Sequence, residues 1–213
     1  MALLQPCFIA TNELGFSRGE IPIFNEVNLT LSPGEILMIR GGNGSGKTSL
    51  LRILAGFSNF YSGQLKYKLD TDQWVAGPAR GAIGWLGHKS GLNLDLSVEE
   101  NLKFWESISQ YSNQISQALK KVDLLNARFA TTRNLSAGQQ RRLNLARLLL
   151  GKWPVWILDE PSANLDKEGA QLIEKLLSDH AKNGGSAIVA SHEPLRPDAP
   201  TSFISLHQEL SAQ

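Results

Sequence analysis

The chain has 213 residues, of which 42% are hydrophobic, so it is long and apolar enough for one domain or for a domain with an inserted lobe. Its 21 Lys and Arg residues against 20 Asp and Glu leave a net charge of +1, which excludes the overall basic field that favours binding to nucleic acid. A single cysteine, Cys7, excludes an internal disulfide and a cysteine-based metal site, and it fits a reducing compartment such as the cytoplasm.

Two features of the sequence indicate a chain that does not cross a membrane by itself. The first residues, MALLQPCFIATNE, lack the basic stretch and the long apolar core of a signal peptide. The most apolar stretch, residues 143–158, is broken by Arg147, Lys152 and Pro154. No apolar run reaches the length of about 18 residues that a membrane-spanning helix needs.

The N-terminal part of the chain predicts strands around a glycine-rich loop. Residues 27–42 alternate in polarity around a Ser-Pro-Gly turn and predict two strands, of which the second is buried and ends at the loop. Residues 47–56 predict a helix that ends at Gly56, because glycine is the common residue at a helix C-terminus. Residues 63–69 and 81–87 are further strand candidates.

The pattern becomes helical at Ser97. Ser97 and Glu100 form a capping-box pattern, helical periodicity continues through residues 114–125, and no convincing strand follows until Val155. This change predicts a helical lobe inserted into an α/β domain. The alternation resumes with a strand at 155–160, a helix at about 165–182 and a strand at 186–191. Strands that alternate with helices predict a mostly parallel sheet covered on both faces.

Residues 41–48, GGNGSGKT, match the phosphate-binding pattern G-x-x-x-x-G-K-[ST] between a strand and a helix. Backbone N–H groups of such a loop cradle phosphates, Lys47 reaches the β- and γ-phosphates, and Thr48 offers a hydroxyl to Mg²⁺. The flanking strand and helix disfavour the alternative of a glycine-rich turn that binds nothing. The candidate ATP-binding residues of this loop are Gly41, Gly42, Asn43, Gly44, Ser45, Gly46, Lys47, Thr48 and Ser49.

A second motif, VWILDEP at residues 155–161, is an apolar strand that ends in Asp159 and Glu160. Because a strand is pleated, consecutive side chains point to opposite sides, so the two carboxylates are free to have different roles. In a nucleoside-triphosphatase the first would hold Mg²⁺, directly or through water, and the second would polarise the attacking water. The phosphate-loop pattern earlier in the chain and Pro161 disfavour a merely solvated strand end.

A third motif, NLSAGQQRRLNLARLLL at residues 134–150, begins with a natural helix cap. Ser136 is a preferred N-cap residue, and the small residues Ala137 and Gly138 permit close backbone approach. The cap and the helix terminus would then present donors to an anion. Taken alone, the motif is equally an ordinary capped helix.

These motifs, followed by His192 after the predicted strand at 186–191, resemble in their order the ATP-binding-cassette (ABC) ATPases over nearly the whole chain. The resemblance implies an α/β P-loop NTPase with a RecA-like parallel-sheet core, an N-terminal antiparallel β portion and an inserted helical lobe. It implies one nucleotide-binding domain over residues 1–213, with the core at about 1–88 and 151–213 and the lobe at about 97–150. The implied ligands are ATP and Mg²⁺.

The resemblance also assigns roles to individual residues. It gives Lys47 and Thr48 the phosphate-loop roles, Thr48 and Asp159 the magnesium site, Glu160 the role of catalytic base, and His192 that of the switch histidine at the γ-phosphate. The family's LSGGQ signature packs against ATP held by a second subunit, which implies an ATP-sandwich homodimer. Here the signature comprises Leu135, Ser136, Ala137, Gly138 and Gln139, with alanine where glycine is more frequent.

Three further positions follow from the same resemblance. Asp166 matches the aspartate of a loop that communicates across the dimer. Phe16, about 25 residues ahead of Gly41, is placed to stack on adenine, although an ordinary core phenylalanine remains an alternative. His88 stands where family members carry a magnesium-sensing glutamine, about twelve residues ahead of Glu100.

The role of His88 remains open on these grounds. A loop histidine beside a lysine is usually just solvated, and Mg²⁺ prefers oxygen ligands to imidazole. His88 would therefore act through water, or it would only occupy the place of the glutamine.

Four stretches, WLGHKSGL, LSAGQQRRLNLARL, WILDEP and SHEPL, narrow the resemblance to the ATP-binding subunits of the cytochrome c maturation (haem exporter) system. This implies a peripheral subunit on the cytoplasmic face of a bacterial inner membrane, with a separate membrane-spanning partner that docks between loop 88–96 and the lobe at 97–133. The subunit would couple ATP hydrolysis to haem export or delivery, or to release of a haem-loaded chaperone.

Two alternatives stay open: an ABC transporter ATPase for another substrate, and a soluble ABC ATPase that acts on DNA or the ribosome. The second usually needs two cassettes or a long coiled-coil insertion, which this sequence lacks. Direct haem binding is not expected, because there is no C-x-x-C-H motif and the histidines at positions 88, 180, 192 and 207 form no obvious ligand set.

Overall fold

The computed structural model describes residues 4–69, 73–77, 81–109 and 114–206. Short 3₁₀ turns at Leu125–Ala127 and Thr132–Asn134 lie between the helices Ile115–Lys121 and Ala137–Leu148. The elements of the described residues are, in chain order, β1 (Cys7–Arg18), β2 (Ile21–Leu31), β3 (Ile36–Arg40), α1 (Lys47–Leu54), β4 (Ser62–Leu69), β5 (Ile83–Leu86), α2 (Val98–Ser109), α3 (Ile115–Lys121), α4 (Ala137–Leu148), β6 (Val155–Asp159), α5 (Lys167–Lys182), β7 (Ser186–Ala190) and β8 (Thr201–Ser205).

The centre of the molecule is a five-stranded parallel sheet in the order β5-β6-β7-β3-β8. Every residue of β6 and β7 is buried, as expected for strands covered on both faces. This confirms the predicted α/β P-loop fold with a parallel sheet. The order of the strands brings the carboxyl ends of β6, β7 and β3 side by side, and the residues that follow these three strands therefore meet at one edge of the sheet.

A separate antiparallel sheet in the order β2-β1-β4 forms the N-terminal part. Its apolar face shares one hydrophobic cluster with α1 and with the α1-facing side chains of β6 and β7. The alternation of polar and apolar residues predicted β2 only from residue 27, whereas the strand begins at Ile21. It did not predict β1. Register shifts in β1 between Thr11 and Leu14, together with the positive φ of 51° at Glu13, break the period-two pattern on which this prediction depends.

The helical lobe is formed by α2, α3 and α4. Its predicted capping box is confirmed: the Ser97 N–H donates to Glu100 Oε2 at 2.8 Å, and the Glu100 N–H donates to Ser97 Oγ at 3.2 Å. Helix α4 packs against α2 and α3 on one side and against β5 of the core on the other. One continuous hydrophobic cluster therefore joins lobe and core through α4, with members that include Leu102, Leu119, Leu143, Trp156 and Ile173.

Helix lengths also bear on membrane insertion. Across the described residues, the structure contains no helix that is both long enough and apolar enough to span a bilayer.

Candidate active site

The phosphate loop connects the end of β3 to the start of α1. Gly46 precedes the helix with φ 93°, and a Cβ added there would lie 2.6 Å from Cγ2 of Ile23, so the position needs glycine. The ammonium of Lys47 donates to the carbonyl oxygens of Gly41 at 2.7 Å and Gly42 at 3.0 Å. Lys47 is only 8% exposed, and its charge therefore lies inside the loop rather than in solvent.

The rest of the loop offers space and an unused hydroxyl. Cβ atoms added at Gly42 and Gly44 would meet nothing within 4 Å, so there is open space beside both residues. The hydroxyl of Ser45 is buried and has no hydrogen-bond partner among the described residues. A buried unpaired hydroxyl costs free energy unless a ligand or water satisfies it. Asn43 is exposed and Ser49 is half-buried on the first turn of α1. The loop fits a bound triphosphate.

A hydroxyl and a carboxylate form the candidate magnesium site. Thr48 Oγ1 donates to Asp159 Oδ2 at 2.9 Å, and Asp159 is 2% exposed at the end of β6. Hydroxyl and carboxylate oxygens are the hard ligands that Mg²⁺ prefers, and this ion usually retains several of its waters. The donor set of Thr48 and Asp159 therefore fits the ion beside the phosphate loop.

Glu160 faces His192 at the same edge of the sheet. Glu160 Oε2 accepts a hydrogen bond from the His192 backbone N–H at 3.1 Å, and His192 Nε2 lies 3.5 Å from Glu160 Oε1. Glu160 Oε1 is buried without a hydrogen-bond partner among the described residues. The arrangement holds one carboxylate oxygen in place and leaves the other without a hydrogen bond from the described residues.

The side chains of Asp159 and Glu160 point in different directions, but strand pleating is not the cause. Strand β6 ends at Asp159, and Glu160 lies beyond it with φ 48°, in the left-handed region that a bulky residue rarely adopts. Its backbone N–H donates to Ala190 O at 2.8 Å, which fixes this conformation against β7. Such strained residues persist where the surrounding structure holds them. The backbone turn, rather than the pleat, therefore sets the direction of the Glu160 side chain.

The signature residues form the start of α4. Ser136 is the N-cap and forms a capping box with Gln139: the Gln139 N–H donates to Ser136 Oγ at 3.2 Å, and the Ser136 N–H donates to Gln139 Oε1 at 2.9 Å. Leu135 is buried, whereas Ser136 and Ala137 are exposed. A Cβ added at Gly138 would lie 3.2 Å from Asn164 O, so the signature and loop 162–166 are in close contact.

Asp166 ends that loop and caps α5. Its Oδ1 accepts from the Gly169 N–H at 2.8 Å and lies 3.9 Å from Nη2 of Arg142 on α4. The Asp166 side chain is 72% exposed and lies beside Arg142 of α4.

Phe16 is half-buried in β1 and lies opposite Phe24 of β2, with ring centroids 5.8 Å apart. A Cβ added at Gly46 would lie 2.8 Å from the Phe24 ring, so Phe24 lies next to the phosphate loop as well as to Phe16. This places Phe16 one side chain away from the loop. Its stacking on adenine remains a prediction.

His88 is exposed, and within the described part of the structure no hydrogen bond or ion pair reaches its imidazole. The backbone around it is held more firmly. Arg141 Nη1 donates to Gly87 O at 3.0 Å, and Asn144 Nδ2 donates to Ser90 Oγ at 3.1 Å. These α4 side chains were missed as functional candidates. The signal available in the sequence was the presence of two polar residues three positions apart, Arg141 and Asn144, beside the leucines of α4.

The phosphate loop, the Thr48–Asp159 pair and the Glu160–His192 pair follow the adjacent strands β3, β6 and β7. Together they define a P-loop nucleoside-triphosphatase. The antiparallel sheet and the inserted helical lobe that bears a capped LSAGQ segment define the ABC class within it.

Comparisons with known proteins agree with this class. Residues 24–163 match the family model described as ABC transporter. Among solved structures, a protein of Pyrococcus furiosus described as an ABC transporter ATP-binding protein superposes with a TM-score of 0.80 at 25% identity, over 94% of this chain and 98% of that one.

Curated relatives identify a group within the ABC transporter family that this chain resembles in sequence. The protein named cytochrome c biogenesis ATP-binding export protein CcmA of Xanthomonas axonopodis pv. citri is 41% identical over 189 residues, which cover 88% of this chain and 87% of the relative. Proteins of the same name from Aliivibrio fischeri and Vibrio parahaemolyticus are 40% identical over 184 residues and 38% over 186, covering 85% and 86% of this chain and 90% and 91% of the relatives. The chain therefore belongs to the ABC transporter family and, within it, to the family of cytochrome c biogenesis ATP-binding export proteins.

Proposed function

We propose that this chain is the ATP-hydrolysing subunit that drives haem export or delivery, or the release of a haem-loaded chaperone, in the biogenesis of c-type cytochromes. The proposal is supported chiefly by the identity of 41% over 88% of the chain to a protein named for that process. The geometry at Thr48, Asp159, Glu160 and His192 supports the ATPase part of the proposal independently of any relative.

The residues divide the work of hydrolysis as follows. Lys47, whose ammonium lies on the loop carbonyls, neutralises the β- and γ-phosphates, and the backbone N–H groups of the loop orient them. Glu160 Oε1 accepts the proton of the attacking water, and His192 holds the γ-phosphate beside it. Mg²⁺ held by Thr48 and Asp159 would neutralise charge on the phosphate oxygens.

We further propose that the partner is a membrane-spanning subunit and that the chain lies on the cytoplasmic face of the bacterial inner membrane. The partner would dock between loop 88–96 and the lobe at 97–133. Haem would pass through the partner system and would not bind to this chain.

Deletion of the gene in its native host tests the proposed process. The strain should lose c-type cytochromes, seen as loss of covalent haem staining, while b-type haem absorbance remains. Normal c-type cytochromes in the deletion strain would favour the alternative of a transporter ATPase for another substrate.

The exposed signature predicts an ATP-dependent dimer. In Glu160→Gln, where ATP is expected to persist, a second copy's Ser136 should close on the nucleotide, and light scattering should show a dimer with ATP and a monomer with ADP. Adding Ala137→Arg should keep that variant monomeric without unfolding it, because Ala137 is exposed. A monomer with ATP in the Glu160→Gln variant alone would contradict the sandwich.

His88 is the residue for which a pH profile is informative. We expect His88→Gln to change the pH dependence of hydrolysis without changing ATP affinity, because the substitution replaces an imidazole with an amide that has no titratable group. Lys89→Gln, a change at the next exposed position, serves as the control. Identical profiles for the His88→Gln variant and the wild type would show that the ring only occupies the position.

A further inference from the structure

Three polar side chains of α4, Arg141, Asn144 and Arg147, are spaced three residues apart and bind the segment at residues 85–91; we name them the α4 polar stripe. Arg147 Nη2 donates to Trp85 O at 3.0 Å, and its guanidinium lies 4.3 Å from the centre of the Trp105 ring in the lobe. The stripe therefore ties the loop that carries His88 to the helix that begins with the signature.

Arg141 differs from the other two because it also binds the backbone around Glu160. Its Nη2 donates to Asp159 O at 2.8 Å and to Glu160 O at 2.6 Å, and its Nε donates to Pro161 O at 3.1 Å. With Gly87 O, four carbonyl groups from two segments meet on one guanidinium.

This arrangement is unusual for a charged residue. Arg141 is 7% exposed, and no carboxylate of the described residues forms an ion pair with it. Burial lowers its pKa, while the nearby charges of Asp159 and Glu160 act in the opposite direction. A buried guanidinium is costly unless its donors are satisfied, and here four main-chain carbonyls accept hydrogen bonds from it. Arg141 therefore holds main-chain segments in place and does not form an ion pair with any described residue.

The carbonyl groups that Arg141 binds lie beside His88 and around Glu160. Gly87 immediately precedes His88, and Asp159, Glu160 and Pro161 span the turn in which Glu160 has its φ of 48°. The Glu160 peptide is thus held at both sides, by Ala190 O at its N–H and by Arg141 at its carbonyl.

We propose that Arg141 is a positioning residue for ATP hydrolysis. It holds the strained turn that directs the Glu160 carboxylate toward His192, and it fixes this turn relative to the loop that carries His88. Because Arg141 lies in the helix that starts with the signature, engagement of Ser136 by a second copy would be transmitted to Glu160 through the same side chain. The role rests on the proposed function of Glu160 as the catalytic base.

A lysine at position 141 would not form the same set of hydrogen bonds. The guanidinium is planar and presents five donors in a fixed fork, whereas a lysine ammonium is a single point that reaches only part of a divergent set of carbonyls. Arg141→Lys therefore keeps the charge and removes the fork. Arg147→Lys is the matched control, because Arg147 lies on the same helix and binds the same segment but does not contact residues 159–161.

The kinetic test compares these two variants of the full chain. We expect Arg141→Lys to lower kcat about 10²-fold, the size of effect that a small misplacement of a catalytic group produces, while ATP affinity stays within about 2-fold. Arg147→Lys should lower kcat far less. Equal loss of kcat in both variants, or a loss in Arg141→Lys matched by weaker ATP binding, would overturn the proposal.

A second readout does not depend on activity. Hydrogen exchange of the nucleotide-free protein should become faster in peptides covering both 85–91 and 159–161 in Arg141→Lys, and only in 85–91 in Arg147→Lys. Unchanged exchange around Glu160 in Arg141→Lys overturns the positioning role even if the chain proves inactive. A different result would count against the proposed function instead. In that case Arg141→Lys shows the expected faster exchange in both peptides, but the wild-type chain binds ATP without hydrolysing it.

Discussion

The Glu160→Gln variant should bind ATP with unchanged affinity and hydrolyse it about 10²- to 10⁴-fold more slowly, because glutamine keeps the shape of the side chain and removes its ability to accept a proton. In the structure Glu160 Oε1 is buried, lies 3.5 Å from His192 Nε2 and has no hydrogen-bond partner among the described residues. Phosphate release under saturating ATP measures the rate, and a fluorescent nucleotide measures the affinity.

Glu193→Gln provides the control for this result. Glu193 is an exposed carboxylate next to His192, so its substitution removes an equal charge from the loop that carries His192 and leaves Glu160 and His192 unchanged. We expect a rate close to that of the wild type. Near-normal turnover in Glu160→Gln would show that another group accepts the proton.

Substitution of Lys47 should produce the second large effect, this time on binding. Lys47→Met keeps the buried stem and removes the ammonium that lies on the carbonyls of Gly41 and Gly42. Hydrogen bonds to charged groups contribute about 1.5–3 kcal/mol, which corresponds to a loss of ATP affinity of about 10- to 100-fold or more. Titration calorimetry with ATP and Mg²⁺ measures it.

Lys66→Met is the matched control, because Lys66 is exposed on β4 and its substitution changes the net charge equally. Wild-type affinity is expected there. If Lys47→Met also bound ATP with wild-type affinity, the phosphate loop would not be the nucleotide site.

The features that sequence predicted are those fixed by local chemistry. A helix cap such as Ser97 with Glu100 and a glycine such as Gly56 at a helix end satisfy the chain within a few residues. Helix α1 was therefore predicted with its end at Gly56, two residues beyond Leu54. The long apolar strand β6 was equally clear, because each of its residues is buried.

The features that sequence did not predict depend on distant segments. The left-handed conformation of Glu160 is imposed by Ala190 and Arg141, which lie 30 residues later and 19 earlier in the chain, and no local preference of glutamate encodes it. Arg141 was not a candidate in the sequence, because arginine is rarely fully buried, whereas the fold buries it among carbonyl groups. Strand β8 is half-exposed at the sheet edge and lacks a strong apolar pattern, so it was not predicted.

The proposed function requires that ATP hydrolysis at Glu160 drive the maturation of c-type cytochromes. In the native host with the chromosomal gene deleted, plasmids that encode the wild type, Glu160→Gln or Glu193→Gln should be compared by covalent haem staining, with protein levels matched by immunoblot. The wild type and Glu193→Gln should restore c-type cytochromes, and Glu160→Gln should not. Full restoration by Glu160→Gln would show that hydrolysis at Glu160 does not drive this process.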